Sequence, residues 1–201
     1  EDLRADRQPE FTQIDCEMAF VTREDILQTF EVLTHHLFQT LLQIDLGEFP
    51  RMSYDDAMSR YGSDKPDVRF GMEFVEFNDL AKGHGFSVFD DAERIVGICV
   101  PGQAETYSNK MLNDLTEWVK RPQIGAKGLV NIKLQADGSI KSSISKYYSD
   151  DQLNSWCEKA GASKGDMILI LSGETDKVRK QLNELRLEMG TRLGMRTAGT
   201  F

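Results

Sequence analysis

Cysteine is scarce in this chain, with only Cys16, Cys99 and Cys157 in 201 residues. An odd, widely spaced set without a Cys-x-x-Cys pair argues against a disulfide framework and against a zinc or dithiol redox site. Three reduced, buried thiols are expected instead. Long apolar runs are missing too. No segment approaches the roughly 20 residues that a membrane helix needs, and no signal-peptide pattern opens the chain, so a soluble, cytoplasmic protein is expected. Positive charge is in deficit: 24 Lys and Arg stand against 33 Asp and Glu, a net charge of −9. That balance opposes broad attraction to a nucleic-acid backbone, so any contact with RNA has to be local. Histidines number three. His35 and His36 are adjacent on a predicted helix and point about 100° apart, so they do not form the i, i+4 pair that binds a metal. His84 has no partner nearby in sequence. No metal site is expected.

What is present suits a packed core. Hydrophobic residues make up 40% of the chain, and the length allows one or two domains. Residues 23–43 read as a long amphipathic helix with an apolar stripe through Ile26, Phe30, Leu33, Leu37 and Leu41, capped by Thr22 with Asp25 three residues on. A short helix follows, with Ser53 as cap and Gly62 as a left-handed stop. The loop Tyr61-Gly62-Ser63-Asp64-Lys65-Pro66-Asp67 is turn chemistry, either a linker or a segment near a site. Beyond residue 70 the pattern changes to short strands alternating with helices. A short helix is expected at 73–83, strands at 86–89 and 94–100, and a helix behind Ser108. A hairpin over 129–146 turns at Asp137-Gly138, followed by a helix capped at Ser149 or Asp150. Then come a strand at 166–171 and a final helix capped at Thr175. Such an order predicts one sheet with helices packed on it, an α+β fold. The last helix carries Lys177, Arg179, Lys180 and Arg186 diluted by Glu184 and Glu188, which reads as a solvated face. Lys127 lies between Gly125 and Gly128, within reach of a phosphate or simply solvated; neither that pair nor Gly97 and Gly102 opens a helix as a phosphate cradle does. No catalytic constellation gathers over residues 70–195.

The amino-terminal segment is the most informative. Read as a strand after residue 10, it places Phe11, Gln13, Asp15 and Glu17 on one face and Thr12, Ile14, Cys16 and Met18 on the other. An aromatic beside an amide and two carboxylates is either a solvated amphipathic strand or the floor of a pocket for a flat ring and a cation.

The run Glu1-Asp2-Leu3-Arg4-Ala5-Asp6-Arg7-Gln8-Pro9-Glu10-Phe11 resembles the second signature motif of class II aminoacyl-tRNA synthetases, a hairpin made of Arg-x-Glu, a variable loop and (Arg/His)-x-x-x-Phe. Its wording is most similar to bacterial-type aspartyl-tRNA synthetases. So is that of Tyr61-Gly62-Ser63-Asp64-Lys65-Pro66-Asp67, and of Ile124-Gly125-Ala126-Lys127-Gly128-Leu129. The resemblance covers nearly the whole chain. It implies a partial class II catalytic domain over residues 1–69 and an insertion over 70–195, a two-layer α/β module of β-β-α-β-β-α type like that of certain tRNA-dependent amidotransferase subunits. Residues 196–201 would start the return to the catalytic domain.

By the same resemblance the parent enzyme is an aspartate–tRNA ligase. It activates aspartate with ATP and Mg²⁺ and then transfers the aspartyl group to tRNA. Glu1, Gln8 and Phe11 would hold the adenine end of ATP, with Phe11 stacked on the ring. Asp15 would pair with the ammonium group of aspartate, Gln13 and Glu17 being weaker candidates for that pocket. Arg4 and Arg7 would approach the tRNA acceptor end. Aspartate attacks through a carboxylate already ionised at neutral pH, so alignment and charge stabilisation are the protein's task. Departures from the family pattern are an arginine expected two residues before Glu1 and a Gly-x-Gly-x-Gly-x-x-Arg segment. The resemblance therefore implies an inactive fragment that binds no cofactor itself. The parent is expected to be a homodimer, the piece being open to a monomeric state. The other reading is a stand-alone module that binds tRNA or a protein.

Overall fold

A computed structural model describes residues 10–196. They divide into two compact units, one ending at Arg51 and the other starting at Met52.

In the first unit, helix α1 spans Arg23–Leu42. The Thr22 side chain accepts from the Asp25 amide, and the Asp25 carboxylate accepts from the Thr22 amide at 2.8 Å, closing a reciprocal cap. Such a box contributes about 1 kcal/mol. Gln43 takes a left-handed conformation and ends the helix. Arg51 reaches Glu31 at 2.7 Å and Glu24 at 3.3 Å, and the His35 ring stacks on Phe49 at 4.8 Å. His35 is half-buried and His36 exposed. No residue of α1 is fully buried, so its apolar stripe stays partly open.

The second unit opens with α2 (Tyr54–Arg60), capped by Ser53 as expected. Gly62 stops it with φ +71°, and a side chain there would lie 2.2 Å from the Arg179 carbonyl oxygen. Next come β1 (Val75–Glu76), α3 (Asn78–Ala81), α4 (Ser87–Asp90) and β2 (Arg94–Val100). They are followed by α5 (Asn109–Lys120), β3 (Val130–Leu134), β4 (Ile140–Ser142), α6 (Asp150–Lys159), β5 (Met167–Gly173) and α7 (Thr175–Arg192). The strands form one sheet in the order β1-β2-β5-β3-β4, antiparallel at every pairing.

The α+β class stands, but helices cover both faces of the sheet rather than one. The reason is alternation within the two central strands. Val96, Ile98 and Val100 of β2 join Met167, Leu169 and Leu171 of β5 under α5 and α7. Ile95, Ile168 and Ile170, with Ile132 of β3, face α3, α4 and α6. On that second face Trp156 stacks on Phe77 at 4.8 Å and lies 5.9 Å from Phe89.

Several local expectations give way. Residues 73–83 do not form one helix, because the Asn78 side chain bonds the β2 backbone: it donates to the Glu93 carbonyl at 2.7 Å and accepts from the Ile95 amide at 2.8 Å. Val75 and Glu76 thereby pair with β2. Residues 86–89 belong to a helical turn, not a strand. The Phe89 and Asp90 amides both donate to the Phe86 carbonyl, which brings the Phe86 and Phe89 rings edge to face at 4.8 Å. The second hairpin strand shortens to Ile140–Ser142. Thr175 is not the cap of α7 but its first residue, and its amide donates to Glu93 at 3.1 Å. The thiols also differ from expectation: Cys157 is buried and Cys99 half-buried, whereas Cys16 is exposed.

Arg186 is the largest correction. It is fully buried, not solvated. Its guanidinium donates to the carbonyls of Asp67, Phe70, Gly71 and Met72 at 2.7–3.2 Å. It also lies 4.1 Å over the Phe70 ring and 4.8 Å over the Tyr61 ring. Only Nη1 lacks an acceptor, and the aromatic faces offset part of that deficit. Gly190, one turn further along α7, leaves room for Phe70: a side chain would meet the ring at 2.8 Å. Asp67 completes the clamp, accepting from Arg69 at 2.7 Å and Arg196 at 3.2 Å.

Arg186→Met leaves four carbonyl oxygens without their donor and should lower stability by about 3 kcal/mol or more, read from the shift of a urea midpoint. The hydrogen bonds from Arg69 hold the Asp67 carboxyl well below the usual carboxylate range, against burial, which raises it. Its contribution is therefore complete above the unfolded value of about 3.9 and is lost as pH falls below that. Asp67→Asn should flatten the drop in urea midpoint between pH 5 and pH 3; an unchanged slope assigns the acid sensitivity elsewhere. Burial, with Asp166 adding to it, pushes the Cys99 thiol up to about 12, and burial pushes Cys157 up to about 11. Iodoacetamide at pH 8 should label Cys16 roughly tenfold faster than either, as mapped by peptide mass spectrometry.

Candidate functional site

Of the assigned positions, Glu1, Arg4, Arg7 and Gln8 lie outside the described residues. Phe11, Gln13 and Asp15 are described and exposed, Phe11 at 66%. Among the described residues no strand precedes Val75, so the expected alternation of Phe11 and Asp15 with Thr12 and Ile14 has no ladder to fix it. Phe11, Gln13 and Asp15 thus lie on an exposed, irregular stretch without a paired strand among the described residues. No group of three or more His, Cys, Asp or Glu suited to a metal occurs among the described residues. No helix among them is long and apolar enough to cross a membrane.

The two other family-like segments are better placed. In Tyr61-Gly62-Ser63-Asp64-Lys65-Pro66-Asp67 the ends are structural. Tyr61 is buried under Arg186, and its hydroxyl donates to Glu73 at 3.0 Å. Arg60 grips the same carboxylate at 2.6 and 2.9 Å. Gly62 rests against α7 and Asp67 sits in the clamp. The centre, Asp64 and Lys65, is exposed. The wording of this loop therefore reflects packing at both ends and leaves a short presented tip.

The segment Ile124-Gly125-Ala126-Lys127-Gly128-Leu129 borders a hollow of about 570 Å³ with Phe86, Phe89 and Ile170 among its apolar walls. Lys127 lines it, but so do Asp91, Glu93 and Glu174. Glu93 is engaged at the start of α7, and Glu174 pairs with Lys177 at 2.6 Å. Three carboxylates around one lysine disfavour a phosphate there. Lys127 keeps its plain reading as a solvated turn residue.

Sequence reasoning missed two cations. Arg186 follows Leu182 by four residues and precedes Met189 by three, so it lies on the apolar stripe of α7, and that spacing was the available signal. Lys133 alternates with Ile132 on β3, yet it is buried and donates to the Tyr107 carbonyl. Nothing local in the sequence announces that bond.

Comparison with known proteins agrees with the residue-level resemblance. The family described as tRNA synthetases class II (D, K and N) matches residues 1–184. A protein of Bacteroides fragilis named aspartate–tRNA ligase is 60% identical over 203 aligned residues, covering 100% of this chain and 34% of that protein. Proteins of the same name from Flavobacterium psychrophilum and Porphyromonas gingivalis are each 57% identical, again over 100% of the chain and 34% of the relative. The chain thus spans about a third of the length of the curated relatives it matches. With the matched family reaching from the amino-terminal motif into α7, the chain belongs to the class II tRNA synthetases of the D, K and N group.

Proposed function

We propose that this chain is a working part of an aspartate–tRNA ligase, the enzyme that activates aspartate with ATP and passes it to tRNA. The observation that carries the reading is 60% identity to a protein of that name along the full length of the chain. The amino-terminal motif agrees with it. In this reading Phe11 stacks on adenine and Glu1 and Gln8 border it. Asp15 accepts the ammonium group of aspartate, with Gln13 beside it. Arg4 and Arg7 meet the acceptor end of tRNA. An ammonium–carboxylate pair in a closed site is far stronger than on a surface, so Asp15 should decide amino-acid affinity. ATP is bound with Mg²⁺, and the complete enzyme is a homodimer. Residues 1–69 act with the catalytic domain, 70–195 form an insertion, and 196–201 start the return.

The 201 residues contain no Gly-x-Gly-x-Gly-x-x-Arg segment, and the chain alone is proposed not to catalyse activation. A second reading, a module that binds tRNA or protein by itself, draws support from the separate two-faced core of the unit starting at Met52.

The test replaces the matching stretch of the Bacteroides fragilis relative with this chain. The chimera should catalyse aspartate-dependent ATP–pyrophosphate exchange, and Asp15→Asn within it should reduce kcat/KM for aspartate by roughly 100-fold or more. A folded chimera without exchange would refute the ligase reading. Full activity in Asp15→Asn would refute only the residue's assignment.

A further inference from the structure

A second, smaller hollow of about 250 Å³ lies where the start of α5 meets β3 and β4. Lys133 and Lys141 face each other across the β3–β4 ladder. Asn131 and Ser143 flank them, and Asn109 and Asn113 close the helix side. No carboxylate lines this hollow, in a chain with nine more acidic than basic side chains. Like charges directly opposite on a sheet repel, and neither lysine has an ion-pair partner among the described residues. Lys133 is only 8% exposed. Its ammonium has three N–H donors, and among the described residues it meets one acceptor, the Tyr107 carbonyl. Burial first, then Lys141, lowers its pKa, a cost that an anion between the two amines would reverse. Among the described helices longer than one turn, α5 alone has no acid in its first turn, so its positive dipole end carries the neutral Ser108 cap and no carboxylate. Asp137 does feel the charge of Lys141, but the hydrogen bonds its carboxylate accepts come from Ser139.

The geometry points to a phosphate-type oxyanion site between β3, β4 and α5, with Lys133 and Lys141 as its charged walls and Asn131, Asn113 and Ser143 as neutral partners. The hollow is below the size that takes drug-sized ligands, so the group bound is a single phosphate or pyrophosphate, or one backbone phosphate of an RNA laid across the mouth. Both sources share the same chemistry. The site stands on this unit's own residues and does not depend on the ligase reading.

The experiment titrates inorganic pyrophosphate into the full chain while following the side-chain ammonium resonance of Lys133. It is repeated with Lys141→Gln, with Lys133→Met, and with Lys180→Gln on α7 as a control for loss of one charge. Lys141 is exposed on an edge strand, so its variant keeps the fold even if Lys133→Met does not. Pyrophosphate should shift the Lys133 signal, with affinity about tenfold weaker in Lys141→Gln and unchanged in Lys180→Gln. In parallel, unfractionated tRNA is bound over a range of salt. A salt slope smaller by about one in Lys141→Gln identifies an RNA phosphate as the source; an unchanged slope beside weakened pyrophosphate binding identifies a free oxyanion. An immobile Lys133 signal, or equal losses in Lys141→Gln and Lys180→Gln, would overturn the site.

Discussion

A guanidinium buried without a carboxylate partner organises one end of the second unit. Water solvates a charge well, and an interior site must replace that solvation or lose stability. Arg186 replaces it with four backbone oxygens and two aromatic faces. Those oxygens belong to an irregular stretch that has no ladder of its own. The charge thereby gives residues 67–72 a fixed path, and Tyr61, Phe70 and Gly190 take their places from it. The same stretch joins α2 to the sheet, so the path of the chain from α2 into the sheet is set by a side chain more than a hundred residues later.

The sheet depends on a second long-range device of similar logic. Glu93 stands just before β2 and receives the first amide and hydroxyl of α7, while Ser172 on β5 donates to the Val88 carbonyl at 3.2 Å. Helix start, strand start and the α4 turn are thus bound together at one corner. Both faces of β2 and β5 pack against apolar side chains, and this explains why their sequences read as near-continuous apolar runs.

Legibility followed locality. Helices α1, α2, α5 and α6 were readable because their caps, Thr22, Ser53, Ser108 and Ser149, lie within three residues of the amides they serve. The strands β2 and β5 were readable as short apolar runs bounded by turn residues, and β3 from its apolar–polar alternation. What failed depended on distant partners: Asn78 bonding β2, Glu93 serving α7, and Arg186 leaving solvent for a loop far upstream. Segment 86–89 failed differently, since Phe86 and Phe89 suit a strand by composition and a helical turn by spacing. The assigned ligand residues were legible only through family wording. Periodicity offered Phe11 and Asp15 as a shared face, and in the described residues that face has no neighbouring strand.

The place of β5 in the sheet bears on how the unit is made. It is the central strand and the last of the five to be synthesised, with β2 and β3 on its two sides. Until residues 167–173 leave the ribosome, both flanking strands present open edges and uncovered apolar surface, a state prone to aggregation. Nascent chains of this unit should therefore lean on chaperones until β5 has emerged, and closure of the sheet should coincide with emergence of that strand rather than proceed hairpin by hairpin.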